Sequence, residues 1–263
     1  DVPFHKEWQI QHTVSEQLTA RTALSQPFHY LGKGTQSYVF ESEDGRYILK
    51  FIKCQRLRLL SIFEKIPLFG RFAEYRKKKL KQKLDLQKAL FTSYVLAKER
   101  ISEETQVIFA HLNATPFYEK NVTLFDKAGF RHEVAIDDVP FVLQKRVSQI
   151  FPILMSIFEK GDKGALKAHL DHILRVFYSL YSKGVQVEDA NLITRNNLGF
   201  FEGRASFIDI GSFVPLKIKR KYSQKTIKSL EPIYVWLQQR DLELAAYFKN
   251  ELNKLYRLQE EIE

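Results

Sequence analysis

Three short segments of this chain carry residue types that could do chemistry. The first is Leu31-Gly32-Lys33-Gly34-Thr35-Gln36-Ser37-Tyr38-Val39-Phe40, with Lys50 in the apolar run Tyr47–Ile52 that follows. Glycines let a backbone come close to a phosphate, and successive N–H groups can then point at it. In a strand, Lys50 shares a face with Ile48 and Ile52, so its ammonium stands on an otherwise apolar side. A lysine aimed at a nucleotide phosphate has that setting. A glycine turn beside an ordinary strand lysine accounts for the same residues.

The second segment, Gly184-Val185-Gln186-Val187-Glu188-Asp189-Ala190-Asn191-Leu192-Ile193, follows an amphipathic helix. Asp189 with a nearby Asn suits a proton acceptor beside a magnesium ligand, and a polar loop with Asp189 capping a turn is the plainer reading. In the third, Phe207-Ile208-Asp209-Ile210-Gly211-Ser212-Phe213, one carboxylate interrupts an apolar strand. A buried Asp needs a partner, a hydrogen bond or a cation. Magnesium holding nucleotide phosphates would serve, as would a turn at the end of the strand.

Other residues offer less. His169 and His172 lie one helical turn apart, but no Cys or carboxylate completes a zinc site. Cys54 is the only cysteine, which excludes an internal disulfide framework and multi-Cys zinc sites. Asn121-Val122-Thr123 matches a glycosylation acceptor pattern that needs a secretory setting. The longest apolar run, near Phe151–Phe158, is broken by Pro152 and Ser156 and is too short to span a bilayer. The first residue is Asp1 in place of Met. The expectation is therefore a soluble domain, cytoplasmic or exported after loss of a leader.

The elements that position these segments follow from periodicity. In 263 residues, 44% apolar and 13% aromatic, there is material for one large domain or two small lobes. Residues 1–26 are expected to form one leading helix, with Trp8, Ile10, Val14 and Leu18 near one face. Strands flank Glu43-Asp44-Gly45, a hairpin signal. A long helix is expected over about Ala73–Ile101, with Leu80, Leu84, Phe91 and Val95 toward one side. Strands are expected at Val107–Leu112, Val122–Phe125, His132–Ile136 and Phe141–Arg146, and a helix at Ala165–Ser182 capped by Gly184. Short strands at Leu192–Thr194 and Ala205–Ile210 follow, then helices from about Gln224. Pro140–Gln149 is the expected joint of an α+β chain in two lobes.

The net charge of +10 is concentrated, because residues 51–100 hold 14 Lys and Arg against 4 Asp and Glu. Arg76-Lys77-Lys78-Lys79-Leu80-Lys81-Gln82-Lys83 follows a stretch in which Leu57–Phe72 alternates with Arg56, Arg58, Lys65 and Arg71. An anionic membrane surface or nucleic acid could meet residues 56–83, and a solvated helix face is the bland alternative.

Taken in order, glycine loop, strand lysine, long helix, linker strand, helix, acidic loop, short hairpin and Asp-x-Gly resemble the protein-kinase-like fold. The closer resemblance is to divergent bacterial kinase-like proteins, over about residues 28–213. It implies an α+β, two-lobed fold with a shortened C-terminal lobe: residues 1–27 an N-terminal helical extension, 28–146 the first lobe and 147–263 the second. It also implies ATP and Mg2+ as cofactors and an unidentified phosphate acceptor. Gly32, Lys33, Gly34, Thr35 and Lys50 would bind the nucleotide phosphates, and Gln144 lies in the linker strand, Phe141–Arg146, that meets the adenine. Asp189, with Lys50, would be catalytic, and Asp209 would bind the metal with Asn191 or Asn197. The chain departs from the kinase pattern in several places. Thr194 stands where Asn follows the catalytic Asp by five residues. Ile210 replaces the Phe of Asp-Phe-Gly and no Ala-Pro-Glu follows. Glu74, Asp85 and Glu99 are the acidic residues of the long helix, none clearly placed to pair with Lys50.

Overall fold

The computed structural model describes residues 4–53, 71–189, 191–194, 196–216 and 228–257. The chain is a mixed α+β protein that divides into two compact units. Unit 1 holds residues 1–99 and 107–146, and unit 2 holds residues 100–106 and 147–263.

Unit 1 is built on a seven-stranded sheet. Its strands are β1 (Phe28–Lys33), β2 (Ser37–Ser42), β3 (Tyr47–Ile52), β4 (Val107–His111), β5 (Asn121–Phe125), β6 (Arg131–Ala135) and β7 (Phe141–Lys145). They lie in the order β4-β7-β3-β2-β1-β5-β6, and all neighbours are antiparallel except β1 and β5. The β2–β3 turn forms where Asp-Gly predicts it, with Gly45 at φ 68°. Burial pushes the Asp44 carboxyl up, but the Arg46 N–H, the Ser42 hydroxyl, the Arg46 guanidinium and the Gln26 amide hold it well below the usual carboxylate range.

One face of this sheet packs an aromatic core, with Phe28, Leu49, Phe51, Phe109, Phe141 and Leu143 buried against Ala20, Ala23 and Leu24 of helix α1 (Val14–Leu24). The leading segment differs from the single helix expected. Lys6–Trp8 is one 3-10 turn and residues 9–13 belong to no helix or strand, and α1 starts at a capping box in which Thr13 and Glu16 satisfy each other's backbone N–H groups. Trp8 is buried on Phe91, ring centroids 4.3 Å apart, whereas Val14 and Leu18 are 84% and 65% exposed. The small residues Ala20 and Ala23 set the buried face, which a count of large apolar residues misses.

Helix α2 (Arg71–Glu99) forms as expected, but its apolar side buries only from Phe91 onward. There the Lys98 amine, itself buried, bonds the Glu16 carboxylate at 2.5 Å. Cys54, Arg56, Arg58, Lys65 and the Leu57–Gly70 part of the basic, apolar stretch lie outside the described residues.

Unit 2 is mainly helical. It contains a one-turn helix α3 (Ser102–Thr105), a short strand β8 (Ser148–Gln149), α4 (Ile150–Glu159), α5 (Lys163–Ser182), α6 (Glu231–Gln238) and α7 (Leu242–Arg257). Asp162 caps α5 by accepting from the Ala165 N–H, and Gly184 at φ 67° ends it as its sequence position predicts. Strands β9 (Val185–Val187) and β12 (Phe213–Pro215) pair antiparallel, and β10 (Leu198–Phe201) and β11 (Arg204–Phe207) form a hairpin that β8 joins along β10. The strand expected at Leu192–Thr194 is a turn. Its apolar Leu192 and Ile193 are buried as anchors of that turn, and the hairpin strand begins at Leu198. The strand expected over Ala205–Ile210 ends at Phe207. Among the described residues, no helix is long and apolar enough to cross a membrane.

Candidate functional site

In unit 1 the glycine segment forms the end of the β1–β2 hairpin. The pairing of β1 with β2 shifts between Tyr30 and Gly32, which leaves Leu31 as a bulge and turns Gly32 toward Val39. Gly34 N–H donates to the Ser37 carbonyl at 3.0 Å. Lys53, the residue after β3, holds the turn from the other strand. Its Nζ donates to the Gly34 carbonyl at 2.5 Å, its backbone N–H donates to Gln36 O at 2.9 Å, and its ammonium lies 4.6 Å from the Tyr38 ring centroid. Lys33, Gly34 and Thr35 are exposed. A Cβ built at Gly32 or Gly34 meets nothing within 4 Å, and neither φ is in the left-handed region. The fold itself therefore does not demand glycine at either place, and what the missing side chains provide is clear space above the hairpin.

Strand register aligns Gly32, Val39, Lys50 and Val142 in one row across β1, β2, β3 and β7. Lys50 is 8% exposed, on the sheet face opposite the aromatic core, together with Ile48 as the period of two requires. Gln144 pairs with Ile48 in register, so it is the diagonal neighbour of Lys50 on that same face, and it is also buried. The sequence-predicted residues Gly32, Lys50 and Gln144 are thus gathered on one face of one sheet.

In unit 2 the acidic loop and the Asp-x-Gly segment are tied by one residue, Asn197. Its Nδ2 donates to Asp189 Oδ2 at 2.7 Å, and its backbone carbonyl accepts from the N–H groups of Ile208 at 2.8 Å and Asp209 at 3.3 Å. Its own N–H donates to Leu192 O at 2.8 Å. The β10–β11 hairpin causes this meeting, because pairing Leu198 with Phe207 places the residue before one strand beside the residues after the other. Asp189 Oδ1 accepts from the Asn191 N–H at 2.8 Å, an Asx turn. Asp209 Oδ1 accepts from the Gly211 N–H at 3.1 Å. Glu188 N–H donates to Ser212 O at 2.8 Å and so extends the β9–β12 ladder to the edge of the loop.

Asp189, Asn197 and Asp209 are half-buried, while Asn191 and Asn196 are exposed. Thr194, at the position five residues after Asp189, bonds the Asn191 carbonyl through its hydroxyl. Of Asn191, Asn196 and Asn197, Asn197 alone bonds both the Asp189 loop and the Asp209 segment among the described residues. Among the described residues no hydrogen bond engages Asn197 Oδ1 or Asp209 Oδ2. No group of three or more His, Cys, Asp or Glu side chains among the described residues is arranged to hold a metal, and His169 instead bonds the Ala165 carbonyl within its own helix.

Sequence reasoning passed over Lys53 and Gly199. Gly199 is required sterically, since a Cβ there would stand 2.1 Å from the Ser148 carbonyl oxygen. Its only outward sign is a glycine among Leu198, Phe200 and Phe201, the mark of a close backbone approach.

No protein-family model matches the chain and no curated protein matches it. Among solved structures it is similar to three of WbdD, described as a bifunctional kinase-methyltransferase, one of them a co-crystal with a kinase inhibitor. Identities are 13%, 14% and 13%, with TM-scores of 0.37, 0.39 and 0.38. The matches cover 84%, 83% and 84% of this chain but only 44%, 44% and 43% of WbdD, so the chain spans less than half of that protein.

Proposed function

We propose that the chain is a divergent kinase-like protein that binds ATP with magnesium and transfers a phosphoryl group to a small or unusual hydroxyl acceptor. In this reading residues 28–146 are the first lobe and 147–263 a shortened second lobe. The observation that carries it is the Asn197 tie, which gathers a carboxylate loop and an Asp-x-Gly turn that lie far apart in sequence. Asp209 Oδ2 and Asn197 Oδ1 are hard oxygen donors without hydrogen bonds among the described residues, and such donors suit magnesium. Bound there, magnesium would neutralise phosphate charge. Lys50 and the exposed hairpin end around Lys33–Thr35 would hold the phosphates, and Gln144 would lie toward the base. Asp189, with its carboxylate fixed by Asn197 and the Asn191 N–H, would orient the acceptor hydroxyl.

One observation favours a second reading, a non-catalytic kinase-like binding module. Both Asp189 oxygens already accept hydrogen bonds inside the loop. Calorimetric titration of ATP, with and without magnesium, tests both. The expected result is magnesium-dependent binding, weakened at least tenfold in Lys50→Ala and in Asp209→Asn and unchanged in Asp189→Asn. Binding without any single-turnover transfer of the γ-phosphoryl group to water or polyol acceptors selects the binding module. No binding under any condition overturns both.

A further inference from the structure

The first five turns of helix α2, Ala73–Leu90, contain no buried residue. At 1.5 Å per residue that is about 27 Å of helix. An isolated helix of this length gains little from propensity alone, so most helices of this kind bury a face. This one instead carries seven Lys and Arg against Glu74 and Asp85. Among the described residues, no carboxylate pairs with Lys77, Lys78, Lys79, Lys81, Lys83 or Lys88. Spacings of four, three and four residues align Lys77, Lys81, Leu84 and Lys88 in one stripe along the helix. All four are exposed, Leu84 at 48%.

We infer that this stripe docks on the anionic surface of a lipid bilayer. Charge complementarity requires an anionic partner. An exposed apolar group selects lipid over nucleic acid: Leu84 stands inside the lysine stripe and is 48% exposed. A phosphate backbone offers that leucine nothing, whereas the head-group boundary accepts it while lysine stems reach past it to the phosphates. The inference is independent of nucleotide binding, since none of these residues belongs to the site above.

The test is sedimentation of the full chain with vesicles of phosphatidylcholine alone or with one quarter phosphatidylserine. Binding is expected only to the anionic vesicles, and it should fall as salt rises from 0.05 to 0.5 M, roughly as the Debye length contracts. Each lysine removed should weaken partitioning about fivefold. The Lys77→Glu, Lys81→Glu, Lys88→Glu triple variant should therefore lose measurable binding with its far-ultraviolet dichroism unchanged. Leu84→Ser should weaken vesicle binding but leave retention on heparin unchanged. Equal binding to both vesicle types, no binding to either, or binding to single- or double-stranded DNA in place of vesicles overturns the inference.

Discussion

Asn197→Ala removes the hydrogen bond from Nδ2 to Asp189 Oδ2, 2.7 Å long, and leaves the backbone bonds of residue 197 to Leu192, Ile208 and Asp209 intact. A hydrogen bond to a charged group contributes about 1.5–3 kcal/mol. Asp189 is half-buried, so water replaces part of what is lost and the low end applies, about 1.5 kcal/mol. For a protein of this size that lowers the unfolding midpoint by about 3–6 °C. The bond is isolated by a double-mutant cycle with Asp189→Ala. Asp189→Ala alone should cost more than Asn197→Ala, because it also strands the Asn191 N–H. The two tryptophans make the assay specific, since Trp8 lies in unit 1 and Trp236 in unit 2. Urea unfolding followed by fluorescence in a Trp8→Phe background reads Trp236, which sits against Phe151 and Phe158. A coupling of about 1.5 kcal/mol is expected. Additivity within about 0.3–0.5 kcal/mol would refute the tie between the acidic loop and the hairpin.

Three further outcomes are expected. Gly199→Ala should cost about 3 kcal/mol or more in the same unfolding assay, because its Cβ would press on the backbone oxygen of Ser148. Gly34→Ala, whose Cβ meets only open space, should stay within about 0.5 kcal/mol of wild type; equal costs for the two would contradict the geometry. Trp8→Ala should destabilise unit 1 by about 3–5 kcal/mol, since Trp8 is 4% exposed and packed on Phe91, and an unchanged midpoint by dichroism would show that the leading segment is not part of the core. Burial lowers the pKa of His12 and of His111 against the opposing pull of the Ala110 and Asp137 carbonyls. The unfolded chain therefore takes up more protons below about pH 6.5, where free histidine titrates. The contribution is complete above that pH and is lost as pH falls toward the lowered native values. The urea midpoint read by Trp8 should fall between pH 7.5 and 5.5, less so in a His12→Gln, His111→Gln variant, and a midpoint that rises on acidification would reverse the sign.

Local signals were legible and non-local ones were not. Asp44-Gly45 announced its hairpin because the turn chemistry is complete within four residues. The strands of unit 1 showed as alternation, and Lys50 could be assigned a face from Ile48 and Ile52 alone. Leu192 and Ile193 read as a strand because burial was the only visible property, and a turn can bury apolar anchors as well as a strand can. The β9–β12 pairing could not be read, since each strand has three residues and the nearest pair, Val187 and Phe213, is 26 residues apart. Asn197 was one of three asparagines at unhelpful spacings, and only the β10–β11 hairpin sets it apart. The clear space over Gly32 and Gly34 likewise follows from the bulge at Leu31, which leaves no mark in residue types.

The excursion of residues 100–106 into unit 2 has a consequence for how the chain is made. Glu104, nearly buried, accepts a hydrogen bond from the Ser179 hydroxyl and pairs with Lys183 at 2.6 Å, 79 residues later in the chain. At synthesis rates of about 5–20 residues per second, roughly 4–16 s pass between the emergence of Glu104 and that of Lys183. For that interval a carboxylate destined for the interior stays in water, and the connection from α2 to β4 has no anchor. The link between α2 and β4 therefore cannot be anchored in order from the N-terminus. The last strand of its sheet, β7, is complete at Lys145, but the segment between α2 and β4 waits for a helix still to be translated. Neither unit is a continuous stretch of gene, and a cut after residue 146 would separate Glu104 from both of its partners.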